Sequence, residues 1–285
     1  MDLESLAIQV ARSENLPVLP QIVSAVMKLA DDPNASPRAM EAIIERDPAL
    51  AAKILRVANS SYYGLSQVNA VGRAVSVLGM NAVRSLVVSI AYQQLISSRP
   101  CSACFSRAEF WLHSLATATA CRIVGKLKCP IQADDLYGAG LMHDVGMLVL
   151  DRFCPQEFDS AITMAREEGV SLTEAEQKVL GFDHLQAGLL LVKRWGLSGV
   201  ISDTFTHLAN PMMIPEECAH VHVVVAADYL ASACGLRNHS TQVPELNLAT
   251  EDFLSMPEGQ LDIIQSVVVQ EVKKAGEAFQ IKAAA

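Results

Sequence analysis

Imidazole and carboxylate side chains recur along the C-terminal two-thirds of this chain: His113, the adjacent pair His143-Asp144, His184, His207 and Asp228. Donors of these two types together suit a divalent transition-metal ion, with iron, manganese, nickel and zinc all compatible. The adjacent pair stands in Gly140-Leu141-Met142-His143-Asp144-Val145-Gly146, and Asp228 stands in Val224-Val225-Ala226-Ala227-Asp228-Tyr229-Leu230-Ala231; both segments are otherwise apolar. An Asp there costs free energy unless it is paired, hydrogen-bonded or bound to a cation. His113, His143, Asp144 and Asp228 are therefore the candidate ligands of one ion. Such an ion polarises a phosphoryl oxygen and lowers the pKa of a water. Asp144 is the carboxylate expected closest to that chemistry, bridging two metals or orienting water. His184 and His207 are candidates for completing a second metal position or for orienting phosphate.

Each of these residues also has a structural reading. A buried His commonly just donates to a backbone carbonyl, which is the competing reading for His207. For His184, which follows Asp183 at a helix start, both readings stand open, and the set of four could be an inherited geometry reused structurally. His220, His222 and His239 have no pattern behind them and are expected to be structural or exposed. Cys101-Ser102-Ala103-Cys104 is a lone C-x-x-C, expected to be structural or incidental without a second such pair.

The elements that must position the candidates read as helices. Ser36-Pro37 and Asp47-Pro48 each put an N-cap residue before a Pro at the first helical position. Met40, Ile43 and Ile44, then Leu50, Ile54, Leu55 and Ala58, follow at three-four spacing, and Asn59-Ser60-Ser61 with Gly64 break the pattern. Further helices are expected over Val71–Leu78 and from about Asn81 to Ile96. Ser97-Ser98-Arg99-Pro100 reads as a linker. Beyond it, Ser106 and Glu109 form a capping-box pattern opening a long Ala-rich helix that carries His113. Pro130 and Asp134-Asp135 open the helix expected to hold His143 and Asp144. Neighbours on a helix diverge by about 100°, so the two can bracket an ion between them, and the other ligands must come from other helices of a bundle. Ser171 with Glu174 is a second capping-box pattern. Asp183 can cap a helix that carries His184 and ends at Gly196, and His207 falls near the end of a short helix after Ser198. Glu216–Cys234 reads as one helix, with Val221–Val225 ambiguous with a strand, and Pro257 opens a final helix to about Phe279.

Composition bounds the rest. With 285 residues, 51% hydrophobic and only 5% aromatic, the core must be aliphatic, which favours packed helices. The net charge of −9 sits in the C-terminal part: residues 1–100 carry nine Lys/Arg against eight Asp/Glu, and the remainder thirteen against twenty-three. Generic nucleic-acid binding is not expected of such a chain. Apolar runs fall short of a bilayer span, so no membrane partner is expected. The opening Met1-Asp2-Leu3-Glu4 is acidic and unlike a signal peptide, and seven Cys is an odd number. A cytoplasmic location with reduced thiols is the expectation.

The N-terminal half adds a resemblance. Leu16-Pro17-Val18-Leu19-Pro20, Ile43-Ile44-Glu45-Arg46-Asp47-Pro48-Ala49-Leu50, Ile54-Leu55-Arg56-Val57-Ala58-Asn59-Ser60 and Ala74-Val75-Ser76-Val77-Leu78-Gly79 follow in order. This series resembles the HDOD family, the HD-related output domains of bacterial signalling proteins. The order His … His-Asp … Asp is similar to the signature of the HD phosphohydrolase superfamily. The resemblance implies an all-α multi-helix bundle, with an HDOD domain over residues 14–215 (an N-terminal helical part, 14–98, and an HD-like part, 105–215) and helices of 216–285 completing the HD-like core. It implies a role in bacterial signal transduction through contact with signalling proteins. The family is generally regarded as having lost the HD catalytic set, whereas this chain keeps His113, His143, Asp144 and Asp228. That departure raises a second expectation, a metal-dependent phosphohydrolase acting on a nucleotide or other phosphate ester. His184 and His207 are similar to the extra histidines of HD-GYP cyclic-di-GMP phosphodiesterases, but Leu208-Ala209-Asn210-Pro211-Met212 lacks Gly-Tyr-Pro, so that activity is not expected.

Overall fold

The computed structural model describes residues 1–13, 21–30, 32, 34–60, 63, 68–96, 101–197, 199–239, 243, 246–257 and 259–279. Leu16–Pro20 and the Ser97–Pro100 linker lie outside them. Every regular element among the described residues is helical. In chain order these are α1 (Leu3–Arg12), α2 (Gln21–Ala30), α3 (Pro37–Ile44), α4 (Pro48–Ala58), α5 (Val71–Leu78), α6 (Met80–Ile96), α7 (Arg107–Lys128), α8 (Ala133–Met142), α9 (Gly146–Phe153), α10 (Pro155–Glu168), α11 (Leu172–Leu180), α12 (His184–Trp195), α13 (Val200–His207), α14 (Val221–Ala233), α15 (Leu248–Leu254) and α16 (Gln260–Ala278), with 3-10 turns at Pro211–Met213 and Glu216–Cys218. Among the described residues no single helix is long and apolar enough to cross a membrane.

The chain divides into two compact units, Met1–Leu16 with Ser98–Gln270, and Pro17–Ser97 with Glu271–Ala285. In the second unit the family elements have local physical jobs. Asp47 Oδ1 accepts from the N–H groups of Ala49 and Leu50, each at 3.0 Å, and so starts α4. Ile54 and Ala58 on that helix are fully buried. Asn59 then stops α4: its amide donates to Leu55 O and Val68 O and accepts from Val68 N, clamping the returning chain.

The first unit is built around α7. Nearly every residue from Phe110 to Cys121 on it is buried, so it is enclosed on all sides by α8, α14 and their neighbours. Small side chains permit the close approach. A Cβ at Gly140 of α8 would lie 2.6 Å from Cys121 Sγ and 3.0 Å from Thr117 O of α7. The α9–α12 crossing is tighter still, for a Cβ at Gly146 would lie 1.7 Å from His184 O and 2.5 Å from Gly188 N. α1 is tied to α12 by Arg194, whose guanidinium donates to Val10 O and Ser13 O. Asp151 and Asp159 accept the backbone N–H groups of residues 101–104, so the Cys101–Cys104 segment is a carboxylate-capped loop with free thiols.

Two elements differ from expectation. The helix expected to hold His143 and Asp144 ends at Met142, and residues 143–145 form a turn into α9. The chain must bend there to bring Gly146 against the backbone of α12. The helix expected over Glu216–Cys234 starts instead as a 3-10 turn, closed by Cys218 N–H to Pro215 O and Ala219 N–H to Glu216 O, before α14 begins at Val221. The ambiguous Val221–Val225 is helical, with Val221, Val223 and Val224 fully buried.

Candidate metal centre

The packing of α7, α8 and α14 decides which polar groups meet. His113 points inward from α7, His143 and Asp144 sit just past α8, and Asp228 projects from α14. His113 Nε2 lies 3.2 Å from His143 Nε2 and 3.2 Å from Asp228 Oδ1; His143 Nε2 lies 3.2 Å from Asp144 Oδ2 and 4.0 Å from Asp228 Oδ1. One donor atom each from His113, His143 and Asp228 falls within a 4.8 Å cluster. The histidines are buried, while the Asp228 side chain is 31% exposed to a cavity of about 480 Å³.

The hydrogen bonds behind the two imidazoles give the cluster its meaning. His113 Nδ1–H donates to Leu236 O at 2.7 Å, and His143 Nδ1–H donates to Gly140 O at 2.8 Å. With both Nδ1 atoms protonated by this bonding, both Nε2 lone pairs face one point, together with two carboxylate oxygens. Lone pairs and carboxylate oxygens this close are stabilised by a positive charge between them, whether a proton on an imidazole or a bound cation. The charge balance of the protein alone says the same. Burial opposes an imidazolium at His143, but Asp144, Asp228 and the Gly140 carbonyl outweigh it and raise the group to about 9. Burial likewise disfavours the Asp144 anion, yet His143 and His184 hold its carboxyl well below the usual range. Two imidazoles and two carboxylates match the nitrogen and oxygen donors of a divalent transition metal.

Asp144 faces two ways. Its Oδ2 is turned to His143, to His113 at 3.6 Å and to Asn238 Nδ2 at 2.6 Å; its Oδ1 lies 3.3 Å from His184 Nε2. His184 is held from behind by Glu176, whose Oε2 accepts from His184 Nδ1–H at 2.6 Å and from the His184 backbone N–H at 2.9 Å. Glu176 is completely buried, and burial raises its carboxyl above the usual range against the pull of His184. The His184 imidazole is itself raised well above its ordinary value, because Glu176 and Asp144 overcome burial. Replacing Glu176 by Gln removes one of these two carboxylates. We expect His184 to titrate at a lower pH in Glu176→Gln, as read by imidazole nitrogen shifts in NMR, and cation affinity measured by calorimetry to fall by about tenfold.

The structure brings His113, His143, Asp144, Asp228 and His184 to one cavity wall and does not bring His207 there. His207 is half-buried at the end of α13, near His220, which pairs with Asp203 at 3.1 Å. Two residues of the site escaped the sequence reading. Glu176 carried a signal, since it occupies the buried stripe Leu172–Glu176–Leu180 at helical spacing. Asn238 carried none: it follows α14 in irregular chain, yet its side chain is buried, bonded to Asp144, and leaves Oδ1 without a partner at the cavity.

His239, next to Asn238, has a separate role. It is buried with φ at 57°, and its Nε2 accepts from Ser106 N–H at 3.2 Å. Burial and the neighbouring Arg166 push its imidazole down to about 4. A depressed His favours the fold while neutral, so this contribution is complete above about pH 6.5 and is lost as pH falls toward 4. The largest possible loss is about 3 kcal/mol. Chemical denaturation at pH 7.5 and 4.5 should therefore show a smaller acid destabilisation in His239→Asn than in the unsubstituted chain.

Comparison with known proteins identifies the family of this helical chain. The HDOD domain profile matches residues 16–211, and the chain belongs to the HDOD family. It is similar over 97% of its length, and 99% of the other chain, to an HDOD domain protein of unknown function from Geobacter sulfurreducens, at 24% identity and TM-score 0.80. A candidate phosphohydrolase from Shewanella amazonensis matches over 96% of this chain and 98% of its own, at 19% identity and TM-score 0.72. A candidate signal transduction protein from Marinobacter aquaeolei matches over 99% of this chain but 61% of its own, at 20% identity and TM-score 0.77. An uncharacterized protein of Treponema pallidum is 23% identical over 210 residues, which is 72% of this chain and 40% of that protein. The chain thus spans less than half of that curated relative. At these identities the structural likenesses carry the fold alone.

Proposed function

We propose that this HDOD protein is a metal-dependent phosphohydrolase serving signal transduction, acting on a phosphate ester in the cavity. The reading rests on one observation: the Nε2 lone pairs of His113 and His143 and the carboxylates of Asp144 and Asp228 face one point on the wall of an open cavity. His113, His143, Asp144 and Asp228 would hold the ion. A divalent cation there supplies Lewis-acid polarisation of the phosphoryl group. Leu236 O and Gly140 O fix the imidazole tautomers, and Asn238 Nδ2 steadies Asp144 Oδ2. His184, aligned by Glu176, can hold a proton on Nε2 beside Asp144 Oδ1 and pass it to the leaving oxygen of the ester. Partner proteins of a signalling pathway would then read the level of the ester or its product.

Metal analysis of protein purified without chelator or added metal tests the premise. Stoichiometric metal, or its uptake on incubation with manganese, iron or nickel, is the expected result; its failure in both cases ends the proposal. A panel of phosphomonoesters, phosphodiesters and nucleotides then tests turnover, which must disappear in Asp144→Ala.

A further inference from the structure

Among the described residues, the charged groups on the cavity wall beyond the imidazoles are acids. Asp144 and Asp228 form the centre, and Asp183 and Glu174 line the same cavity further out. Glu176 adds a buried carboxylate directly behind His184. Between these acids the wall offers neutral donors and acceptors such as Thr173 and the Asn238 amide. Lys178, one helical turn beyond Glu174 on α11, is engaged with Glu174 at 3.1 Å and Glu168 at 3.5 Å.

Resting on the phosphohydrolase reading, we infer that this cavity takes esters carrying a single phosphoryl group and discriminates against nucleoside di- and triphosphates. One divalent ion neutralises Asp144 and Asp228. The start of α11, whose first residues line the cavity, adds a partial positive charge of about half an electron. Together these offset only part of the charge of a single phosphoryl group. Every additional phosphate brings further negative charge toward a wall lined by Asp183, whose carboxylate caps α12 and accepts from Gln177, and by Glu174, which is paired with Lys178. Sites built for polyphosphates answer that charge with Lys, Arg or a nest of backbone N–H groups; the outer wall here answers it with carboxylates. In a partly solvated cleft each repelled unit charge is worth about five- to tenfold in affinity.

The test uses the full chain loaded with manganese to a measured stoichiometry, titrated calorimetrically with inorganic phosphate, AMP and ATP, with bound manganese measured again afterwards. AMP should bind at least about tenfold more tightly than ATP. Thr173→Lys, on the half-exposed start of α11, should shift the ratio toward ATP by about tenfold. Glu174→Lys, at an exposed position, should shift it in the same direction and serves if the first variant folds poorly. ATP binding as tightly as AMP to the unsubstituted chain overturns this inference and leaves the metal-centre reading standing. Failure of the loaded protein to bind any of the three, phosphate included, removes the phosphohydrolase reading and this inference with it.

Discussion

Asp144→Asn is expected to abolish stoichiometric metal binding, lowering affinity for manganese by at least about a hundredfold. The side chain keeps its shape, so the effect is one of charge. Asp144 Oδ2 faces both imidazole Nε2 atoms while Oδ1 faces His184. Amide substitution removes a buried negative charge from the point of convergence and turns one donor into an NH2 group. Loss of a unit charge about 4 Å from a divalent cation, at an effective dielectric of about 20, is worth about 8 kcal/mol by Coulomb's law, of which only a part should appear in binding. Calorimetric titration of manganese into both proteins checks this. Asp159→Asn provides the control, because among the described residues the Asp159 carboxylate holds the 102–104 loop and does not line the cavity. Equal affinity in the Asp144 variant and the unsubstituted chain would falsify the assignment of these ligands.

Gly146→Ala should be the most destabilising single-methyl change in the first unit, costing about 3 kcal/mol or more. The added Cβ would stand 1.7 Å from His184 O and 2.5 Å from Gly188 N, both backbone atoms that no rotamer change can move. Gly188 is crowded too: its own Cβ would lie 3.2 Å from Gly146 N and 2.4 Å from the Phe205 ring of α13. α9 and α12 must separate to admit the methyl. That separation carries His184 away from Asp144, so the substitution should damage the site as well as the fold. The fall in thermal midpoint measures the first effect, and weakened manganese affinity in the surviving folded fraction measures the second. Gly276→Ala, where an added Cβ meets nothing within 4 Å, is the matched control.

Helix starts were the most legible part of the fold because their signals are local. Ser36, Asp47, Ser106, Ser171 and Asp183 each accept the backbone N–H expected of an N-cap. Asp183 and Gln186 complete a reciprocal capping box. Helix ends were harder. The stretch through His143 and Asp144 has helical composition, and it stops at Met142 because Gly146 is drawn against α12, a partner about forty residues away in the chain. His113, His143, Asp144, His184 and Asp228 were visible as candidates because a polar group in an apolar segment demands a compensating partner. Glu176 obeyed the same rule and was overlooked beside its capping-box neighbour Glu174. His207 is a candidate by residue type and by likeness to an extra HD-GYP histidine, and neither says which side of a short helix faces the cavity.

The amino-acid order alone therefore determined the helical class, most helix starts and the short roster of side chains able to hold a cation. These follow from backbone capping, periodicity and the cost of burying charge, all of which act over a few residues. Tertiary packing decided the rest. Glycine and alanine contacts set how closely α7, α8, α9 and α12 approach, and that spacing brought Glu176 and Asn238 into the centre while leaving His207 beside His220. Interatomic distances of about 3 Å between residues more than a hundred positions apart are set by interhelical spacing, which no local rule specifies.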